Sequence, residues 1–230
     1  VLLPALIANF EKDAQAQEPK FKDLEAPIQV LKNWNYYSNV NSVATTLANE
    51  WAFKLNPILQ KVYIDEGEKD QVENMSEFAK TAGIDDMLPQ LREVVQELQA
   101  KFGKWEIPWG DINRFQRPSG DIDLTYDDNK ESLAMGTASV LWGSLPAFKS
   151  SYQNNSKKRY GYNGNSFICA VEFGPKIKAK SLLAGGNSGD PNSKHFFDQA
   201  KMYQNAQFKD VLFYKEDVQK NAEKTYHPGE

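Results

Sequence analysis

The sequence predicts an α+β fold in which a helical first half precedes a β-rich second half. Apolar residues recur at helical spacing as far as Phe102, whereas from Trp105 onward they lie in short β-branched and aromatic runs among glycines and prolines. Helices and strands that occupy separate parts of a chain are typical of α+β proteins, because α/β proteins interleave them. We therefore expect a mainly helical segment at 1–104 and a β-rich segment with a C-terminal helix at 105–230.

The composition excludes several classes of protein. The 230 residues carry 27 Lys and Arg against 31 Asp and Glu, and this net charge of −4 excludes the strongly basic surface of a nucleic-acid binder. Hydrophobic residues make up 40% of the chain, which is enough to build a core. No stretch approaches the roughly 18 apolar residues of a membrane-spanning helix. We expect a globular protein with no membrane span and no nucleic-acid partner.

The helices follow from apolar spacing and from residues that cap helix ends. Ser42 can cap one helix, and Gly103 ends the clearest amphipathic helix. The charged residues 65–75 are typical of a surface loop. The predicted helices cover residues 2–10, 27–37, 43–58 and 88–102. Four aromatic residues near the second and third helices are interpreted as core: Trp34, Tyr36, Tyr37 and Trp51.

The strands follow from β-branched and aromatic runs. Residues 166–173 give the strongest signal, and a glycine-proline turn separates them from residues 177–184. These two segments are expected to form an antiparallel hairpin. Residues 211–214 are predicted to be a third strand, and residues 215–224 a helix.

The residue types that carry chemistry are few. Cys169 is the single cysteine, which excludes an intramolecular disulfide, and its place in an apolar strand indicates a buried structural thiol. Asp198 follows His195 by three residues, so this carboxylate could orient the imidazole as a general base. The alternative, which we favour, is a histidine whose hydrogen bonds hold a loop against the body.

Two loops are similar to ligand-binding loops but lack their defining residues. The alternating acids of residues 121–127 start like a calcium loop, yet Tyr126 and Ser132 stand where glycine and glutamate are needed. An ordinary acidic hairpin is favoured. Residues 185–191 are glycine-rich and could cradle an anion, but they lack the lysine and serine or threonine of a P-loop. A structural loop is favoured here too.

One segment carries a family resemblance. Residues 185–199, GGNSGDPNSKHFFDQ, contain a glycine-x-serine-glycine turn followed by a histidine-aromatic pair and an aspartate-glutamine. This segment resembles the C-terminal signature of the penicillin acylase (penicillin amidase) family. Residues 109–114 are similar to the family's tryptophan-glycine-acid segment, and residues 30–35 to its earlier leucine-x-x-tryptophan segment. The similar segments come in the family's order and cover most of the chain.

The resemblance implies an N-terminal-nucleophile hydrolase. Members of the family cut a precursor into an α and a β chain, and the β chain begins with a serine whose own α-amine acts as the base. An asparagine side chain and a backbone N–H form the oxyanion hole. The implied fold is an αββα sandwich with helical additions, of which this chain would be the C-terminal portion. Substrates include penicillins, glutaryl cephalosporins, N-acyl homoserine lactones and acylated peptides, and the implied location is periplasmic or secreted.

The sequence departs from the family's pattern at its start, because Val1 stands there instead of a serine. We therefore expect the C-terminal part of a β chain, partnered by the missing N-terminal part of that chain and by the α chain. No catalytic, cofactor-binding or metal-ligating residue is assigned to this chain, and the calcium of some members is expected upstream. Ser188 is not the nucleophile, since it has no free α-amine. Glu172 and Asn165 lie in a region that is expected to approach the site in cephalosporin-type members.

Two other functions stay open. One is a stand-alone binding or interaction module without enzymatic activity. The other is a histidine-based enzyme that uses His195 and Asp198. Exposure of the strand at residues 166–173 would favour the fragment interpretation, because apolar strands that belong to a larger sheet need partners from other polypeptide.

Overall fold

The computed structural model describes five stretches of the chain: residues 1–66, 70–119, 125–153, 155–227 and residue 229. Most of the acidic hairpin predicted at residues 121–127 lies outside them.

Helices fill the first half of the described chain, and the predicted α+β class is confirmed by the strands that follow. A 3₁₀ turn at Lys22–Leu24 leads into the second helix. The helices are α1 (Leu2–Ala14), α2 (Glu25–Lys32), α3 (Val43–Glu66), α4 (Gln71–Thr81) and α5 (Ile84–Phe102). None of the described helices combines the length and the apolar composition that crossing a bilayer requires.

Local capping chemistry sets two of the helix ends as predicted. Ser42 Oγ accepts a hydrogen bond of 3.0 Å from the backbone N–H of Thr45 at the start of α3. Gly103 ends α5 with a φ of 80°, and its N–H donates to Gln99 O at 2.9 Å. Glycine takes this left-handed conformation at little cost, so the chain can turn away there.

The loop predicted at residues 65–75 is wrong at both ends. α3 continues to Glu66 and α4 begins at Gln71, while residues 67–69 lie outside the described part of the chain. Asp70 caps α4, because its carboxylate accepts from the N–H of Val72 at 3.3 Å. A carboxylate at a helix start is stabilised by the orphan N–H groups and the helix dipole, so a charged run need not be a loop.

The helical half packs around one apolar cluster. Leu6, Leu47, Leu88 and Leu91 are fully enclosed, and Trp51 is 2% exposed. Enclosing a leucine-sized side chain is worth about 1.5–3 kcal/mol, so this cluster is the main source of stability for α1 to α5.

The aromatic residues near α2 do not all join that cluster. Trp51 confirms the prediction of a core position, and its Nε1 donates to Met87 O at 3.1 Å. Tyr36 and Tyr37 are 63% and 74% exposed, so the prediction is wrong for them.

The first sheet follows a short helix, α6 (Trp109–Ile112), without a break. Its strands are β1 (Asn113–Phe115), β2 (Leu133–Ala134), β3 (Phe148–Tyr152) and β4 (Arg159–Gly164). Their order in the sheet is β2-β1-β4-β3; β1 and β4 are parallel, and the other pairs are antiparallel.

The second sheet comes from the last third of the chain, whose elements are β5 (Phe167–Glu172), β6 (Lys178–Leu183), α7 (Ala200–Gln204), β7 (Lys209–Asp210) and α8 (Lys215–Asn221). The sheet has the order β5-β6-β7, all antiparallel. The pairing of β5 with β6 runs from Phe167 opposite Leu183 to Glu172 opposite Lys178, which confirms the predicted hairpin. The third strand was predicted two residues too late, since only Lys209–Asp210 forms β7.

A buried ion pair joins the helical half to the first sheet. Arg159 on β4 donates from Nη1 to both carboxylate oxygens of Glu50 on α3, at 3.3 and 3.4 Å. Its Nη2 donates to Ser150 O at 2.9 Å, and its guanidinium lies 4.1 Å from the centre of the Phe53 ring. Burial raises the pKa of Glu50, although the positive charge of Arg159 acts in the opposite direction.

The outer strand of the second sheet exposes apolar side chains. Phe167, Val171 and Phe173 are 59%, 45% and 82% exposed, and β6 is the only described strand that pairs with β5. Cys169 is exposed in the same strand, so the prediction of a buried thiol is wrong. The apolar side chains of β5 are typical of a buried strand, but none of the described residues covers them.

Candidate functional site

The segment with the family resemblance forms a closed loop between β6 and α7. Gln199 N donates to Gly185 O at 2.8 Å, which joins the two ends of the loop. Inside it, Ser188 N donates to His195 O at 3.1 Å. The N–H of Asp190 also donates within the loop, to Ser188 Oγ at 3.1 Å. These two N–H groups therefore serve the loop itself, in line with the structural interpretation of residues 185–191.

A glycine allows the loop to close this tightly. A Cβ atom on Gly186 would lie 2.1 Å from the carbonyl oxygen of His195 and 2.7 Å from Asp198 Oδ1. Gly189 has no heavy atom within 4 Å of the same position. The close approach of backbone to backbone therefore needs glycine at Gly186 but not at Gly189.

Arg117 fastens the loop to the first sheet. Its guanidinium donates to the carbonyl oxygens of Phe196 and of Ser188, the latter at 3.0 Å. The same group lies 4.1 Å from the centre of the Phe196 ring, within range of a cation–π contact. Arg117 was not predicted from the sequence, because no local pattern indicates which carbonyl groups a distant arginine will meet.

His195 and Asp198 meet as their spacing predicts. His195 Nδ1 and Asp198 Oδ2 are 2.8 Å apart, and the side chains are 45% and 37% exposed. A carboxylate in this position fixes the orientation of the ring, as in catalytic triads.

The pair lacks the third member of a triad among the described residues. Ser188 Oγ accepts from Asp190 N at 3.1 Å, and Ser193 Oγ accepts from His195 N at 3.2 Å. No described hydrogen bond joins a serine, threonine or cysteine side chain to the imidazole. The geometry thus favours a histidine that holds the loop, which was the preferred interpretation of the sequence.

A cavity of about 550 Å³ lies beside this loop. Arg117, Phe196, Phe197, Asp198 and Lys201 contribute to its walls. Its lining mixes two carboxylates with three cations and two aromatic rings, and its described residues include neither cysteine nor histidine. It has the size of a ligand site but not the residues of an acyl-transfer centre.

Asn165 and Glu172, which the sequence placed near a possible site, make contacts elsewhere in the structure. Asn165 Oδ1 accepts from the N–H of Ala147 at 2.7 Å, a contact that stabilises the start of β3. Glu172 forms an exposed ion pair of 3.6 Å with Lys178 across the β5–β6 hairpin. Within the described residues, no three His, Cys, Asp or Glu side chains are grouped as a metal site.

The tryptophan-glycine-acid segment lies at the junction of the two halves. Gly110 N donates to Val40 O at 2.8 Å, and a Cβ on Gly110 would lie 2.7 Å from that of Val40. Asn113, fully buried, donates from Nδ2 to Met135 O and Thr137 O at 2.8 Å each. These contacts show a segment that holds the first sheet against the helices.

Comparison with known families agrees with the resemblance. The family model described as penicillin amidase matches residues 1–220. The chain belongs to the penicillin amidase family. The penicillin amidase family consists of hydrolases that act on amides, and its members are processed, multi-chain enzymes. The loop at residues 185–199 and its Arg117 anchor both lie within the residues that match the penicillin amidase model.

Proposed function

We propose that this chain is the C-terminal scaffold of the β chain of an N-acyl amidohydrolase. The observation that carries the proposal is the family match over residues 1–220. The reacting serine, with its α-amine and oxyanion hole, lies in this proposal on polypeptide outside these 230 residues. The chain contributes the helical half, two sheets and the loop that Arg117 fastens.

The exposed side of β5 supports this role. Phe167 and Phe173 expose 59% and 82% of their surface, and the outer edge of β5 has no described partner strand. Apolar side chains along an open edge favour association with another strand or layer. The proposed cover is the remainder of the same β chain together with the α chain.

The proposed reaction is acyl transfer to serine followed by hydrolysis. The serine hydroxyl adds to the amide carbonyl while its proton passes to the serine α-amine, and that proton then leaves with the amine product. Water next attacks the acyl ester and releases the acid. Backbone and asparagine donors stabilise the oxyanion in both steps.

The substrate class is an N-acyl amide, such as a penicillin, a glutaryl cephalosporin, an N-acyl homoserine lactone or another fatty-acyl amide. A periplasmic or secreted location is part of the same proposal. Some members of the family bind calcium. Among the described residues, no three His, Cys, Asp or Glu side chains are grouped to hold a metal ion, and the proposed reaction includes no step that uses calcium.

A comparison of the isolated chain with the complete gene product tests the proposal. We expect the complete product to hydrolyse a chromogenic phenylacetyl or fatty-acyl amide and the 230-residue chain to hydrolyse neither. His195→Ala in the complete product is expected to retain hydrolysis once folding is confirmed by circular dichroism.

Two outcomes would support the competing functions instead. Turnover by the isolated chain that disappears in His195→Ala would establish a histidine-based enzyme. A complete gene product of 230 residues without hydrolase activity would establish a stand-alone binding module.

A further inference from the structure

A second cavity, of about 700 Å³, lies between α3, α4 and residues 137–145. We call it the aromatic cleft, because Trp34, Trp51 and Trp142 all contribute to its walls. Val1 contributes to the wall as well, so the start of α1 lies beside this cleft.

The rim of the aromatic cleft gathers exposed apolar and aromatic side chains. Tyr37 is 74% exposed and Leu145 is 81% exposed, so the described residues leave most of both side chains uncovered. Large exposed apolar patches are rare on monomeric proteins, and tyrosine is enriched where protein surfaces meet. The rim is therefore typical of a surface that other polypeptide covers. Its exposed members are Val1, Tyr36, Tyr37, Val72, Val140 and Leu145.

The two tyrosines of the rim are held in a fixed conformation. Tyr36 has a φ of 63°, which is uncommon for a bulky residue and needs support from its surroundings. The support comes through Tyr37, whose N–H donates to Asn35 Oδ1 at 3.0 Å and whose carbonyl oxygen accepts from Trp34 Nε1 at 3.1 Å. A segment that binds here does not have to order this loop first, which lowers the entropy cost of association.

The sequence at the start of α1 indicates which polypeptide reaches the cleft. Pro4 is the third residue of α1, where its missing N–H removes no helical hydrogen bond. Within a helix, a proline ring clashes with the carbonyl group four positions earlier, and for Pro4 that position is the residue immediately before Val1. A straight continuation of α1 beyond Val1 is therefore disfavoured, and a preceding chain bends at the wall of the cleft.

We propose that the residues immediately before Val1 in the complete β chain cross the aromatic cleft and place apolar side chains against its rim. This inference rests on the proposed function, in which Val1 is joined to upstream polypeptide. In that chain the Val1 nitrogen is an amide, so no ammonium group interrupts the apolar wall. An extended chain advances at most about 3.5 Å per residue, so roughly ten residues before Val1 stay within about 35 Å of it.

Thiol labelling of the 230-residue chain and of the complete gene product tests whether the rim is covered. Cys169, the single cysteine of these residues, is first replaced by serine. Val140→Cys then puts a thiol on the rim, and Val218→Cys puts one on α8; the two valines are 59% and 47% exposed. Peptide mass spectrometry follows the reaction of each thiol with N-ethylmaleimide, and circular dichroism checks folding.

The expected result is protection at the rim alone. The thiol of Val140→Cys should react at least about tenfold more slowly in the complete product than in the 230-residue chain, because a covered thiol reacts only when its cover opens. The control thiol of Val218→Cys should react at rates that agree within about twofold between the two proteins.

A photo-crosslink identifies what covers the rim. Tyr37→p-benzoylphenylalanine puts a photoreactive ring there, and we expect crosslinks in the complete product to peptides within about ten residues before Val1. Leu145→Asp adds a charge to the apolar rim and should weaken this crosslink at least about fivefold. In the 230-residue chain the same change should leave the unfolding temperature within about 2 °C, because Leu145 is already exposed there.

The outcomes separate this inference from the proposed function. Equal labelling of Val140→Cys in the two proteins, or equal protection of Val140→Cys and Val218→Cys, would overturn the inference. Crosslinks to the α chain or to a second copy instead of the segment before Val1 would overturn it as well. In each case, hydrolysis of a phenylacetyl or fatty-acyl amide by the same complete product would leave the proposed function standing. A complete product without polypeptide before Val1 would overturn both.

Discussion

Replacing Arg159 by methionine tests how the two halves of the chain are joined. The change removes both contacts to Glu50 and the hydrogen bond to Ser150, while a methionine still fills space beside Phe53. The side chains of Arg159 and Glu50 are 8% and 12% exposed, so Glu50 would be left as a buried carboxylate without its ion-pair partner, with only the Tyr152 hydroxyl and the charge of Lys101 still favouring its ionised form. Breaking one partner of such a pair costs about 3–5 kcal/mol, which is the expected loss in the free energy of unfolding at neutral pH.

The loss should depend on pH in a defined direction. The pKa of Glu50 in the folded chain lies above its ordinary value of 4.5, so the folded state holds the proton more tightly than the unfolded state. The ionisation of Glu50 therefore lowers stability as the pH rises from 4.5 through the folded pKa. Without Arg159 that pKa rises further, so the variant should lose more stability at about pH 8 than at about pH 5.

Urea unfolding of both proteins at the two pH values is the assay. Lys54→Met is the matched control, because Lys54 lies on α3 like Glu50 but forms more exposed ion pairs, with Glu93 at 2.9 Å and Glu97 at 2.5 Å on α5. Its loss should cost no more than about 1 kcal/mol. Adding Glu50→Gln to Arg159→Met should recover part of the loss. A cost for Arg159→Met equal to that of the control, or a cost that shrinks with rising pH, would refute the reasoning.

Four further substitutions test the loop, the core and a helix cap. Gly186→Ala should destabilise the chain to urea by about 1–3 kcal/mol because its Cβ meets backbone, whereas Gly189→Ala should change stability by no more than about 0.5 kcal/mol; equal effects would contradict the close approach. Leu91→Ala should cost about 2–5 kcal/mol in thermal unfolding, and a smaller loss would mean that its site is not enclosed. Asp70→Ala should cost about 0.5–2 kcal/mol and speed amide exchange at the start of α4, and unchanged exchange would argue against the cap.

The helices that the sequence predicted best are those whose signals are local. The apolar spacing before Phe102 and the glycine at position 103 define α5, since both act within a few residues. The loop predicted at residues 65–75 was wrong because the helix there depends on contacts with distant parts of the chain. Asp70 and Gln71 begin a helix whose packing against α1 and α3 outweighs its low content of apolar residues.

The hairpin was predicted, but the environment of β5 was not. Alternation and β-branched residues identify a strand, and the register from Phe167 to Glu172 follows from the short turn. Burial is a different property, because it depends on whatever covers the sheet. Cys169 was therefore expected inside an apolar strand and is exposed.

At the candidate site, too, contacts between residues close in sequence were predicted and contacts between distant residues were not. His195 and Asp198 are three residues apart, so their contact could be read from the sequence. Glu50 and Arg159 are separated by 109 positions, and Arg117 reaches Phe196 across 79. Such pairs depend on how the halves pack, which no local pattern contains. The family resemblance, by contrast, rests on short contiguous segments, above all residues 185–199, and is confirmed by the match over residues 1–220.

The central claim is that the reacting serine lies outside these 230 residues. Labelling the complete gene product with a sulfonyl fluoride, which sulfonylates an activated serine, tests it most directly. Peptide mass spectrometry should then find one modified serine, on a peptide outside this chain, in step with the loss of amide hydrolysis. A stoichiometric label on Ser188, Ser193 or any other serine of this chain, with the same loss of activity, would contradict it.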